Sequence, residues 1–127
     1  MAIGQVGDGA AFLLQDRQLA RLTPTDALPA EPQRWDQTTG DSSPWTGNRI
    51  SQVLGHRVVV PHVKTQKIRR GDLIVLGTDG LVGKIDTGSV FSSIADADPH
   101  AACQILVDAS NAAGGLDNIG VVVIKFT

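Results

Sequence analysis

Cys103 is the only cysteine in this chain. It cannot form an internal disulfide, and a thiolate zinc cluster is excluded. Aromatic residues make up only 4%, too few for a base-stacking surface. A net charge of -2 gives no electrostatic pull toward nucleic acid or an anionic membrane. No apolar run approaches the length of a membrane span. The opening "MAIGQVGDGAAF" has no basic segment followed by a long apolar one, so it does not read as a secretory signal. The simplest expectation is a cytoplasmic protein with neither nucleic acid nor membrane as partner.

What is present fits one ordinary domain over residues 1–127, with 42% apolar content to build a core. "IGQVGDGAAFLLQDRQLARL" reads as strand material broken by one turn. Ala11 to Leu14 and Leu19 to Leu22 flank the polar "QDRQ", a hairpin pattern. Residues 23–47 hold four of the six prolines and both tryptophans, with no clear period. Loops of that length tend to carry function. "NRISQVLG" predicts a short helix, with Asn48 as cap, Ile50, Val53 and Leu54 on one face, and Gly55 as stop. "RVVVPHVKTQKIRRGD" is extended in character, with Pro61 marking an edge or a bulge. It feeds a strand from Leu73 to Leu76. Two helical pieces follow. The second has Asp98 as N-cap, Pro99 in its first turn, and Ala102, Ile105, Leu106, Ala109 and Ala113 at helical spacing. A β-branched strand from Ile119 to Phe126 ends the chain. Strands dominate and helices are inserted between them, so the class is α+β.

Three aspartates stand at strand ends: Asp8 in "VGDG", Asp79 in "TDG" and Asp117 in "LDN". Each precedes Gly9, Gly80 or Asn118, residue types that tolerate left-handed backbone and so sharp turns. Such turns can gather carboxylates distant in sequence. Gathered carboxylates repel unless they are protonated or hold a cation. Oxygen-only ligation suits Mg²⁺, Mn²⁺ or Ca²⁺. Asp-Gly and Asp-Asn are also common plain turns, so the spacing suggests a hard-metal site without establishing one. His56, His62 and His100 show no ligand spacing and read as structural or surface residues.

The order of segments says more. "VGDGAAFLLQDRQLARLT", "NRISQVLG", "IRRGDLIVLGTDGLVG" and "GGLDNIGVVVIKF" follow one another. Together they resemble the later half of bacterial type 2C protein phosphatases, the metal-dependent Ser/Thr phosphatases. The "VGDG" segment departs from the family's "VGDSR". The resemblance implies a portion of a two-sheet antiparallel β-sandwich with flanking helices. It implies two metal ions, Mn²⁺ or Mg²⁺, sharing a water that attacks a phosphoserine or phosphothreonine. It places Asp79 and Asp117 as metal ligands, Asp8 as a contributor with Asp79 to a third, weaker metal, and Gly80, Asn118 and Gly9 as supports of the turns. Residues 23–47 fall where the family has a flap near the active site.

In complete members the earlier half supplies a phosphate-binding arginine, a metal-bridging Asp-Gly pair and a candidate general acid. Only seven residues precede Asp8 here, so no catalytic residue is assigned and the chain is expected to be inactive alone. Apolar sheet surface should lack its usual cover. The partners expected are a phosphoprotein substrate and either the missing half of the fold or a second copy. The alternatives are a non-catalytic regulatory module and a small structural domain that binds a divalent cation.

Overall fold

Strand β2 (Ala10–Gln15) is apolar for five consecutive residues and is buried on both faces, as a central strand must be. It turns back into β3 (Gln18–Arg21) through Asp16 and Arg17, both at positive φ, the backbone that two-residue hairpins use. Its other neighbour is β5 (Leu73–Gly77), which pairs in turn with β6 (Val121–Lys125). The sheet is antiparallel throughout, in the order β3-β2-β5-β6. A smaller antiparallel sheet joins β1 (Ala2–Gln5) to β4 (His62–Thr65). β4 begins directly after Pro61, which has no N–H to give a ladder. This computed structural model describes residues 1–27, 50–83, 85–115 and 117–127. Most of the proposed flap over residues 23–47, with Trp35 and Trp45, lies outside the described residues.

Three helices among the described residues cover one sheet face: α1 (Asp79–Val82), α2 (Thr87–Ser93) and α3 (Pro99–Ala112). The Asp98 carboxylate caps α3 by accepting from the backbone N–H groups of His100 and Ala101, at 3.0 and 3.1 Å. Those bonds hold its pKa below the ordinary carboxylate value, with the Ala101 amide the larger cause. Asp86 caps α2 in the same way through Gly88.

The strands sort their side chains by parity. Ala10, Phe12, Leu14, Leu73 and Val75 face the helices and meet Leu81, Phe91, Ile94, Ala102 and Leu106. Ala11, Leu13 and Ile74 face the other way, toward Leu22 and the partly buried Ile3, Ile68 and Phe126. The second face is only partly covered. Leu76, Val122 and Ile124 are 36%, 51% and 40% exposed. A groove of about 770 Å³ opens beside them, lined in part by Ile3, Val6, Ala11, Leu54, Leu76 and Val122.

One expected element does not form among the described residues. Residues 50–55 form no helix, and Leu54 is 78% exposed. Asn48 lies outside the described residues. Eight residues are too few for a helix that finds no burial for its apolar side. The backbone pairs elsewhere instead: Ile50 bridges to Ala27, and the Ser51 N–H donates to the Asp26 carbonyl at 2.9 Å.

The helix-covered core rests on Phe91, which is fully buried with its ring centroid 5.0 Å from that of Phe12. Phe91→Ala should therefore cost about 3–5 kcal/mol, the usual range for emptying a core aromatic site. Urea denaturation measures it. A loss below about 1 kcal/mol would mean that the helices do not pack on this sheet face as described.

Candidate metal centre

β5 ends at Gly77, which lies opposite both Ala10 of β2 and Val121 of β6. Asp79 stands two residues beyond that row, and Asp8 two residues before Ala10. Asp117 stands four residues before Val121. All three aspartates are therefore at one end of the larger sheet. Asp79 and Asp8 are half-buried, whereas Asp117 is exposed.

Thr78 carries the chain from β5 into α1 and ties it to the segment before β6. Its N–H donates to the Gly120 carbonyl at 3.0 Å. Its hydroxyl donates to the Asn118 carbonyl at 3.3 Å and accepts from the Gly120 N–H at 3.0 Å. Gly80 then passes against Asn118 so closely that a Cβ there would lie 2.3 Å from the Asn118 carbonyl oxygen. The same Cβ would lie 3.4 Å from the Cβ of Asp117. The Asp79 and Asp117 turns thus meet across Gly80. Each carboxylate accepts from the following amide, Asp79 from Gly80 at 2.9 Å and Asp117 from Asn118 at 2.7 Å. From α3, the buried Ser110 hydroxyl donates to the Gly80 carbonyl at 2.7 Å and fixes the turn from below.

One expectation needs correction. Neither Gly9, Gly80 nor Asn118 has positive φ. Asp79 opens a short helix rather than a left-handed turn, and Gly80 is required by the close approach of Asn118. Gly9 passes Gly77 at a less severe distance, its Cβ position lying 3.3 Å from the Gly77 carbonyl oxygen. Among the described residues, no three His, Cys, Asp or Glu side chains are grouped so as to hold one metal ion. Asp8 shares the sheet end without completing a triad.

Sequence reasoning missed the residue that holds Asp8's corner. Asp26 is only 6% exposed. It accepts from the Gly7 N–H at 2.8 Å, from Gln52 Nε2 at 3.2 Å, and is bonded to His62 Nε2 at 2.8 Å. The His62 bond is the largest cause holding its pKa below the ordinary carboxylate value, followed by the Gly7 amide. Nothing in "TPTDAL" marks a buried carboxylate, because its partners lie in remote segments.

Solved metal-dependent phosphatases share this fold. The PPM Ser-Thr phosphatase MsPP from Mycobacterium smegmatis, solved in complex with cacodylate, matches with a TM-score of 0.77 and 23% identity. The match covers 99% of this chain and 56% of MsPP. The catalytic domain of the serine/threonine phosphatase PstP, solved with two manganese ions, matches with a TM-score of 0.70 and 24% identity. That match covers 96% of this chain and 51% of PstP's. This chain therefore has the fold of the PPM, or type 2C, phosphatases, in the portion that bears their later segments. Among curated proteins, the protein phosphatase PhpP of Streptococcus pneumoniae is 31% identical over 125 residues. That alignment covers 94% of this chain and 50% of PhpP, so the chain spans about half the length of the curated relatives it matches. No protein-family model matches.

Two tests follow from the geometry. In an open helix, Gly→Ala gains about 1 kcal/mol from propensity. At Gly80 the added methyl meets a backbone carbonyl, and the clash outweighs that gain. Gly80→Ala should lower stability by about 1–3 kcal/mol in urea. A stabilised variant would show that the two turns do not meet here.

The second concerns acid. Asp26 has a lowered folded-state pKa, so it adds stability that is complete above its unfolded value. That stability disappears as pH falls through the folded value. The thermal midpoint should fall on acidification through the carboxylate range, and Asp26→Asn should flatten that fall. Parallel acid limbs in both proteins would contradict the assignment.

Proposed function

We propose that this chain is the carboxylate-bearing later portion of a metal-dependent Ser/Thr protein phosphatase. Asp79 and Asp117 would hold Mn²⁺ or Mg²⁺, with Asp8 at the margin of a further weak site. The observation that carries this reading is the meeting of the Asp79 and Asp117 turns across Gly80. It joins two carboxylates whose segments have the order and spacing of the phosphatases. The donor set is all oxygen, which fits a hard cation. It is also short, since no triad forms among the described residues. A cation bound in the phosphatases supplies an acidified water and neutralises phosphate charge. This chain's own residues contribute position: Thr78 and Ser110 fix the Asp79 turn, and Gly80 sets its distance from Asp117.

The proposed substrate is a phosphoserine or phosphothreonine protein in the cytoplasm. Hydrolysis would require the half of the phosphatase fold that lies outside these 127 residues. The partly bare face with Leu76, Val122 and Ile124 is where that half would pack, and a second copy is the competing occupant. Among the described residues no helix is long and apolar enough to cross a membrane.

Calorimetry and turnover test the reading. Mn²⁺ should bind this chain with a Kd on the order of 1 mM, because few carboxylates replace its water. Asp79→Asn and Asp117→Asn should each abolish that binding. The chain alone should leave p-nitrophenyl phosphate unhydrolysed, since in-line attack needs an oriented phosphate as well as metal. Binding unaffected by both substitutions would overturn the site. Mn²⁺-dependent turnover by the chain alone, lost in both variants, would overturn the requirement for the other half.

A further inference from the structure

Gly7 is the corner between the two sheets: β1 ends at Gln5 and β2 starts at Ala10. It is buried and left-handed, at φ +96°. With no side chain, it cannot fix its own direction. Asp26 grips it from both sides. The Asp26 carboxylate accepts from the Gly7 N–H at 2.8 Å, and the Asp26 N–H donates to the Gly7 carbonyl at 3.0 Å. The Gln5 side chain also donates to that carbonyl. The next residue along the chain is Asp8.

The grip is itself braced. Asp26 Oδ1 is bonded by His62, the first residue of β4, and by Gln52. Gln52 in turn accepts from the Val60 N–H at 2.8 Å. The Asp26 carbonyl accepts from the N–H and hydroxyl of Ser51, at 2.9 and 3.1 Å. A carboxylate this buried is costly unless its oxygens are bonded, and here both are. Three of these bonds are made to Gly7 itself, one residue before Asp8, and the others brace Asp26.

We infer that Asp26 is a positioning residue: through Gly7 it sets where the Asp8 carboxylate stands, and His62 and Gln52 brace it from the segment leading into the smaller sheet. This rests on the reading of Asp8 as a cation ligand. Asp26 touches no cation in this role. Its effect on binding passes through Asp8, as bonds behind a ligand commonly tune metal affinity.

The test uses the whole chain with Mn²⁺ as probe. Asp26→Asn and Asp8→Asn should each remove the Asp8-dependent part of Mn²⁺ binding, weakening it about tenfold. The double variant should bind no more weakly than either single one, because both act on one carboxylate. Amide exchange supplies a readout that general loosening would not mimic. In Asp26→Asn the Gly7 amide should exchange faster, while Val75 and Leu106 in the core keep their protection. Should Asp26→Asn fail to fold, His62→Phe removes one brace at a half-exposed position and should weaken binding roughly threefold. Wild-type binding in Asp26→Asn, with loss in Asp8→Asn, would overturn the inference and leave the metal site standing. Additive losses in the double variant would overturn it too, as would exchange that rises equally at Gly7, Val75 and Leu106. Wild-type binding that ignores Asp8, Asp79 and Asp117 would instead sink the metal reading itself. The Gly7 amide would then still decide whether Asp26 holds the corner.

Discussion

Strand β5 is held in antiparallel register by β2 on one side and β6 on the other, and the site depends on that double pairing. Val75 sits opposite both Phe12 and Val123, and Gly77 opposite both Ala10 and Val121. A slip of one residue would turn Phe12 or Val123 away from the helices. It would also carry Asp8 or Asp117 along its strand, away from Asp79. The hydrophobic contrast between the two sheet faces therefore specifies where the carboxylates stand. The core sets the register with Phe91, Ile94 and Leu106, apolar side chains that offer no ligand to a cation.

Much of this arrangement could be read from local signals. "QDRQ" between apolar runs marks the β2–β3 hairpin, and Asp98-Pro99 with its apolar period marks α3. Those signals succeed because local chemistry and tertiary packing agree there. They disagree over residues 50–55. Ile50, Val53 and Leu54 have helical spacing, yet the backbone of Ile50 and Ser51 bonds to Ala27 and Asp26 instead. The partner that decides the conformation lies in another part of the chain.

The site shows the same division. The family resemblance picks out Asp79 and Asp117, and both turns lie together. The reason for Gly80 was not legible, because it is steric and comes from Asn118. A preference for Asp-Gly in turns concerns one dipeptide's own φ and ψ. It carries no information about a carbonyl arriving from a remote segment. Ser110 and Asp26 are further cases. A serine within an apolar helix and an aspartate within a proline-rich stretch have no pattern that announces burial. Their roles depend on Gly80 and Gly7, which only the fold brings to them.

The two faces of the larger sheet carry different parts of the design. On the helix face Leu81, Phe91, Ile94, Ala102 and Leu106 are fully buried, and from that side Ser110 reaches Gly80. The meeting of the Asp79 and Asp117 turns is thus supported by contacts within this chain. The other face leaves Leu76, Val122 and Ile124 partly in water. Asp8 belongs to the junction of the two sheets, where its neighbour Gly7 is held by Asp26 rather than by core packing. Turns tied to each other through Thr78 and backed by Ser110 keep their approach whether or not the second face is covered. A carboxylate set by a polar clamp between sheets follows any shift of one sheet against the other. Covering the open face would therefore act on Asp8 far more than on the Asp79–Asp117 pair.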